Sequence, residues 1–137
     1  MEWYPAIVVH GFRNGRKFGF PTANLSGDAM RKIAPGVYAA IVNVDGKCYK
    51  GMLYVGTRPT LDLRGTTFEI HILNFNDNIY GKNLAFAIVA RLRDEQRFNS
   101  VRELIDQLHV DRSEVDKFVD LDRFDSFGYI NIDNEKD

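Results

Sequence analysis

Before residue 98 the chain shows no helix-length apolar period. Short β-branched runs follow one another between frequent turn signals. "AIVVHGF" is ended by Gly11, and "GVYAAIVNV" and "KCYKGMLYVG" flank Asp45-Gly46, a two-residue hairpin signature. "TTFEIHILNF" alternates, with Phe68, Ile70 and Ile72 directed one way and Glu69 and His71 the other. "NLAFAIVARLR" is apolar enough to be covered on both faces. Strands this short and this closely joined pair antiparallel, and closing them into a small barrel hides their edges.

The period then changes. Ser100 and Glu103 have capping-box spacing, and Val101, Leu104, Ile105 and Leu108 follow at i, i+3, i+4 and i+7 of an amphipathic helix. Asp111 is placed to cap a second helix whose apolar face is Val115, Phe118 and Val119. The expectation is a single domain in a chain of 137 residues: a mainly β barrel over about 5–95, helices packed on it over about 100–123, then a polar, fraying tail.

Lys and Arg total 18 against 19 Asp and Glu, so the net charge of -1 argues against general attraction to nucleic acid or an anionic membrane. The one cysteine, Cys48, excludes an internal disulfide and points to a reducing, cytoplasmic setting; it reads as a small, partly buried thiol. The longest apolar run, "LAFAIVA", is far short of a membrane span, and the opening "MEWYPAIVVHGF" lacks a signal-peptide core. No Cys/His cluster has zinc spacing.

One stretch exceeds what a turn requires. "GRKFGFPTAN" places glycines, two cations, a proline, a threonine and an asparagine within residues 15–24. Glycines let backbone N–H groups approach an anion, and Arg16 or Lys17 can neutralise it. Pro21 fixes one φ, and on the extended segment after it Thr22 and Asn24 face the same way, offering hard oxygens to Mg²⁺. The spacing of Gly11, Gly15 and Gly19 fits neither a Walker A loop nor a dinucleotide fingerprint. Composition alone leaves two readings open: a phosphate-binding loop, or a loop merely rich in turn formers.

The same run resembles the signature of the riboflavin kinases, or flavokinases, approximately G-R-x-x-G-[FI]-P-T-A-N. "VGTRPT", "FEIHILNF", "YGKNL" and "RLRDEQRFNSVRELI" resemble further blocks of that family in the expected order, over about residues 6–119. The resemblance implies a six-stranded antiparallel Greek-key β-barrel with a C-terminal helix. It also implies transfer of the ATP γ-phosphate to the terminal ribityl hydroxyl of riboflavin, giving FMN and ADP, usually with Mg²⁺.

By position, the resemblance implies that Thr22 and Asn24 hold the metal and Glu69 is the catalytic base. It places Gly11, Gly15, Arg16, Thr22, Ile72, Asn74 and Tyr80 at the ATP, and Arg93, Gln96 and Phe98 at the flavin. His10, His71 and His109 are read as structural. The expected partners are ATP and riboflavin, with no nucleic acid and no membrane. Some family members are C-terminal modules of bifunctional FAD synthetases, whose upstream adenylyltransferase domain carries an H-x-G-H motif that this sequence lacks. The chain is therefore expected to be a stand-alone kinase or such a module. The alternative from another class is a non-enzymatic barrel that binds flavin, nucleotide or single-stranded nucleic acid.

Overall fold

The computed structural model describes residues 1–10, 19–57 and 65–122. Its elements are β1 (Trp3–Val9), β2 (Ala23–Ser26), a 3₁₀ turn (Asp28–Lys32), β3 (Gly36–Val44), β4 (Lys47–Thr57), β5 (Thr66–Ile72), β6 (Asn83–Arg93) and α1 (Val101–Phe118). The six strands close into a barrel in the order β1-β2-β5-β4-β3-β6. Every neighbouring pair is antiparallel. Strands β3, β4 and β5 run consecutively and β6 returns beside β3, which is Greek-key connectivity.

The Asp45-Gly46 hairpin forms as expected. Both residues have positive φ, 54° and 86°, the geometry of a turn whose twist matches its strands. The period-2 pattern sorts the side chains. Leu25, Val42, Leu53, Ile70, Ile72 and Phe86 fill the interior, while Phe20, Ala39, Ile41, Met52, Leu108 and Val115 form a second cluster between the barrel and α1. β3 is buried along its whole length because it contributes to both clusters. Ile41 and Met52 of the barrel and Val115 of α1 are fully buried between barrel and helix, and burial of side chains this size contributes about 1.5–3 kcal/mol each.

The helical region departs from expectation. α1 runs unbroken through Asp111, so that residue caps no second helix. Asp111 is buried instead, and its carboxylate accepts from Arg93 of β6. The expected cap at Ser100 is present, its Oγ accepting from the Glu103 N–H, while Glu103 reaches back to the Asn99 N–H. Val101 and Phe118, expected on the apolar face, are exposed. Among the described residues no helix is long and apolar enough to cross a membrane.

Candidate active site

The strand register assembles one transverse row of side chains. Val9, Asn24, Glu69, Tyr54, Val37 and Arg93 are successive ladder partners across β1, β2, β5, β4, β3 and β6. Their chain neighbours Val8, Leu25, Ile70, Leu53 and Tyr38 belong to the interior cluster, so the row faces outward. Its members on β3, β4 and β6 lie on the strands that α1 packs against, and a space between barrel and helix is lined by Val37, Tyr54, Glu69 and Arg93 together with Leu104 and Leu108 of α1.

Thr22 precedes β2 and lies against this row. Its hydroxyl donates to Glu69 Oε1 at 2.8 Å. Asn24 stands directly opposite Glu69 in the β2–β5 ladder. The hydroxyl, amide and carboxylate expected to act together therefore meet on one face. The His71 imidazole, two residues along β5, is paired through Nδ1 with the Pro21 carbonyl at 2.7 Å. Burial pushes its pKa down, against the opposing effect of that hydrogen bond.

Two cavities adjoin this point. One, of about 450 Å³, lies between the row and the helix and is lined by Tyr54, Glu69, Arg93, Gln96, Phe98 and Leu104. The other, of about 520 Å³, opens at the end of β1 and is lined by His10, Asn24, Ile72, Asp77 and Tyr80. Thr22 lines both. Each is of a size that holds a small organic ligand. The first is lined by aromatic and aliphatic groups together with polar ones. The second includes the stacked rings of His10 and Tyr80, whose centroids are 3.6 Å apart.

The expected site residues are thus placed as follows. Thr22, Asn24 and Glu69 converge; Ile72 and Tyr80 line the larger cavity; Arg93, Gln96 and Phe98 line the smaller. Asn74 is not brought in: it is exposed in the turn after β5 with φ of 56°, a backbone conformation that asparagine tolerates well. Gly11, Gly15 and Arg16 lie outside the described residues, as does the 58–64 portion of "VGTRPT".

Arg93 lines a cavity and also reaches across to α1. Its Nε and Nη2 donate to the two Asp111 oxygens at 2.8 Å each, and its guanidinium lies over the Phe98 ring. The strand end is thereby pinned to the helix, and the cavity wall with it.

Two contributors were invisible in the sequence reading. Tyr54 stands opposite Glu69 in the ladder, and burial, reinforced by the Asp111 charge, raises its pKa and keeps its hydroxyl protonated. Glu95 holds the loop between β6 and α1 to the end of β4. Its oxygens accept from the Thr57 N–H and hydroxyl at 2.9 and 3.0 Å. Cross-strand register exposes the first, but nothing in the local sequence signals the second.

The riboflavin kinase family model matches residues 4–119, which spans the barrel from the second residue of β1 and the whole of α1. This chain belongs to the flavokinase family. It is 34% identical over 116 residues to the bifunctional riboflavin kinase/FMN adenylyltransferase of Bacillus subtilis, covering 82% of this chain and 37% of that protein. It is 35% identical over 115 residues to the RNA-binding riboflavin kinase RibR of the same organism, covering 83% of this chain and 50% of that protein. The chain therefore spans between about a third and a half of these relatives. Its fold matches the crystal structure of riboflavin kinase from Trypanosoma brucei with a TM-score of 0.63 at 23% identity, over 84% of this chain and 77% of that one. That likeness agrees with the flavokinase barrel described above.

Proposed function

We propose that this chain is a riboflavin kinase that transfers the γ-phosphate of ATP to the terminal ribityl hydroxyl of riboflavin, giving FMN and ADP. The observation that carries the reading is the junction of two cavities at Thr22, with Glu69 hydrogen-bonded to it at 2.8 Å. A two-substrate phosphoryl transfer needs a donor site and an acceptor site that open onto one another, with a base at the boundary.

The aromatic-lined cavity suits the flat, apolar flavin ring, with Phe98, the Arg93 guanidinium and Gln96 in its lining. The ribityl chain then runs toward Glu69. That carboxylate takes the proton of the terminal hydroxyl as its oxygen forms a bond to the γ-phosphorus. The bond from that phosphorus to the bridging oxygen breaks, and ADP departs with the electron pair. ATP occupies the second cavity, with Ile72 and Tyr80 near the nucleoside. The family resemblance assigns Gly11, Gly15 and Arg16 to its phosphates.

Mg²⁺ fits the donors present. No group of three or more His, Cys, Asp or Glu suited to a metal is found among the described residues, but Mg²⁺ bound mainly by phosphates and water needs only one or two protein oxygens. Thr22 and Asn24 would supply them. The Thr22 hydroxyl directs its O–H at Glu69 in a hydrogen bond, which leaves its oxygen lone pairs available. When bound, the ion neutralises charge on the transferring phosphoryl group. The coverage of the bifunctional relatives favours one further reading: this chain corresponds to the kinase portion of such an enzyme, with FMN adenylylation belonging to residues outside the match.

Glu69→Gln tests the assignment and separates it from a non-catalytic flavin binder. Glutamine keeps the acceptor for Thr22 but cannot take a proton. The expected result is a fall in kcat of about 100-fold or more, with the riboflavin dissociation constant, read by flavin fluorescence, changed by less than about threefold. An unchanged kcat removes Glu69 as the base.

A further inference from the structure

We propose that His71 is a positioning residue for phosphoryl transfer, acting by fixing the backbone of Pro21 so that Thr22 is held at the junction of the two cavities. The inference rests on the kinase reading above. His71 lines neither cavity, so it acts through another residue.

The need for it follows from the β2–β5 ladder. The pairs are Asn24 with Glu69 and Ala23 with Ile70, and the ladder stops there. Continuing it would set Thr22 opposite His71 and Pro21 opposite Ile72. Pro21 has no N–H to offer, so the strand cannot be extended by backbone bonds through that position. The backbone N–H of Leu73, the residue after β5, is already bonded to the Lys50 carbonyl at 2.9 Å. The segment carrying Thr22 therefore leaves the sheet just where the two cavities meet.

The His71 side chain takes the place of the lost ladder bond. A carbonyl can only accept, so the 2.7 Å contact to Pro21 O fixes a proton on Nδ1. The ring cannot swing away. Phe20 packs on it edge-to-face at 5.4 Å and contacts His109 of α1 at 5.1 Å, and fully buried Met52 is its ladder partner on β4. Two outward side chains of β5 thus grip consecutive residues: Glu69 holds the Thr22 hydroxyl and His71 holds the Pro21 carbonyl. Releasing one grip leaves Thr22 free to shift, and displacement of a positioning group by about 1 Å can cost about 100-fold in rate.

The test compares His71→Asn, whose side-chain N–H reaches the Nδ1 position, with His71→Leu, which fills the space without a donor. Purified variants are assayed for kcat, for KM with ATP and Mg²⁺, and for riboflavin binding by fluorescence. His71→Leu is expected to lose about tenfold or more in kcat, with riboflavin affinity within about twofold of wild type, while His71→Asn stays within about threefold in kcat. Equal losses in the two variants, or full activity in His71→Leu, would overturn the proposal. A readout independent of activity is the long-range ¹⁵N–¹H NMR pattern of the wild-type imidazole. A proton on Nδ1, with the Thr22 amide resonance shifted in His71→Leu and unmoved in His71→Asn, supports the grip; a proton on Nε2 refutes it. If wild type makes no FMN, the kinase reading fails while the NMR result still decides the role of His71 at Thr22. Should His71→Leu not fold, the tautomer and the activity of His71→Asn decide, a loss above tenfold in the latter counting against the proposal.

Discussion

Asp111→Ala should destabilise this protein far more than the loss of one helix carboxylate ordinarily does. Asp111 is 1% exposed and accepts three hydrogen bonds: two from Arg93 at 2.8 Å and one from Gln107 Nε2 at 2.9 Å. Removing it leaves the Arg93 guanidinium, whose side chain is only 16% exposed, without its counter-charge. Breaking a buried pair in this way costs about 3–5 kcal/mol. Arg93 keeps the Asp94 carbonyl and some contact with water, which places the loss near the lower end, about 3 kcal/mol. For a domain of this length that corresponds to a fall of about 10 °C in Tm. Urea denaturation of wild type and Asp111→Ala measures it. Asp116→Ala serves as control: its partner is Lys50, its own side chain is 55% exposed, and its loss should cost less than about 1 kcal/mol. The double replacement Arg93→Met with Asp111→Leu should recover most of the stability, because apolar residues of similar volume replace a buried pair at little cost. A loss below about 1 kcal/mol in Asp111→Ala, or a double variant no more stable than the single, would refute the claim that this pair pins the helix to the barrel.

Two further perturbations probe the core and the titration of His71. Gly51→Ala would set a Cβ at 2.6 Å from Val42 Cγ2 in the barrel interior, and calorimetry should show a loss of about 1–3 kcal/mol without a change in strand content. Burial holds the His71 pKa below its ordinary value of 6.5, so the unfolded chain binds the proton more readily. The associated stability is complete above about pH 6.5 and is lost as the pH falls through the folded-state value. Denaturation midpoints between pH 7.5 and 5 should therefore fall more steeply for wild type than for His71→Asn, and parallel curves would contradict this.

Most of the barrel was legible because its signals are local. Asp45-Gly46 names its turn type, and the alternation from Phe68 to Ile72 assigns each side chain to a face. The helix start at Ser100 was equally local. Asp111 misled because an aspartate beside an apolar run looks like a cap. Only the tertiary placement of Arg93 shows that its carboxylate is spent on an ion pair across the helix–barrel seam. For the site, the "PTAN" and "FEIH" blocks named Thr22, Asn24 and Glu69; the β2–β5 register sets Asn24 opposite Glu69, and a hydrogen bond joins Thr22 to it. Asn74 was assigned to the nucleotide by position; in the structure it sits in a turn with positive φ, between Ile72 and Phe75 of the larger cavity, and is not itself part of either lining. Tyr54 and Glu95 escaped notice because their partners lie on strands and loops distant in sequence, where no local pattern carries the pairing.

The proposed kinase activity requires the two cavities that share Thr22 to be a donor site and an acceptor site for phosphoryl transfer. The most direct test incubates the protein with riboflavin, ATP and Mg²⁺ and resolves the flavins by chromatography. FMN and ADP appearing in equal amounts, and only with all components present, is the predicted result. Riboflavin bound by the protein but recovered unphosphorylated, with ATP intact, would contradict the claim.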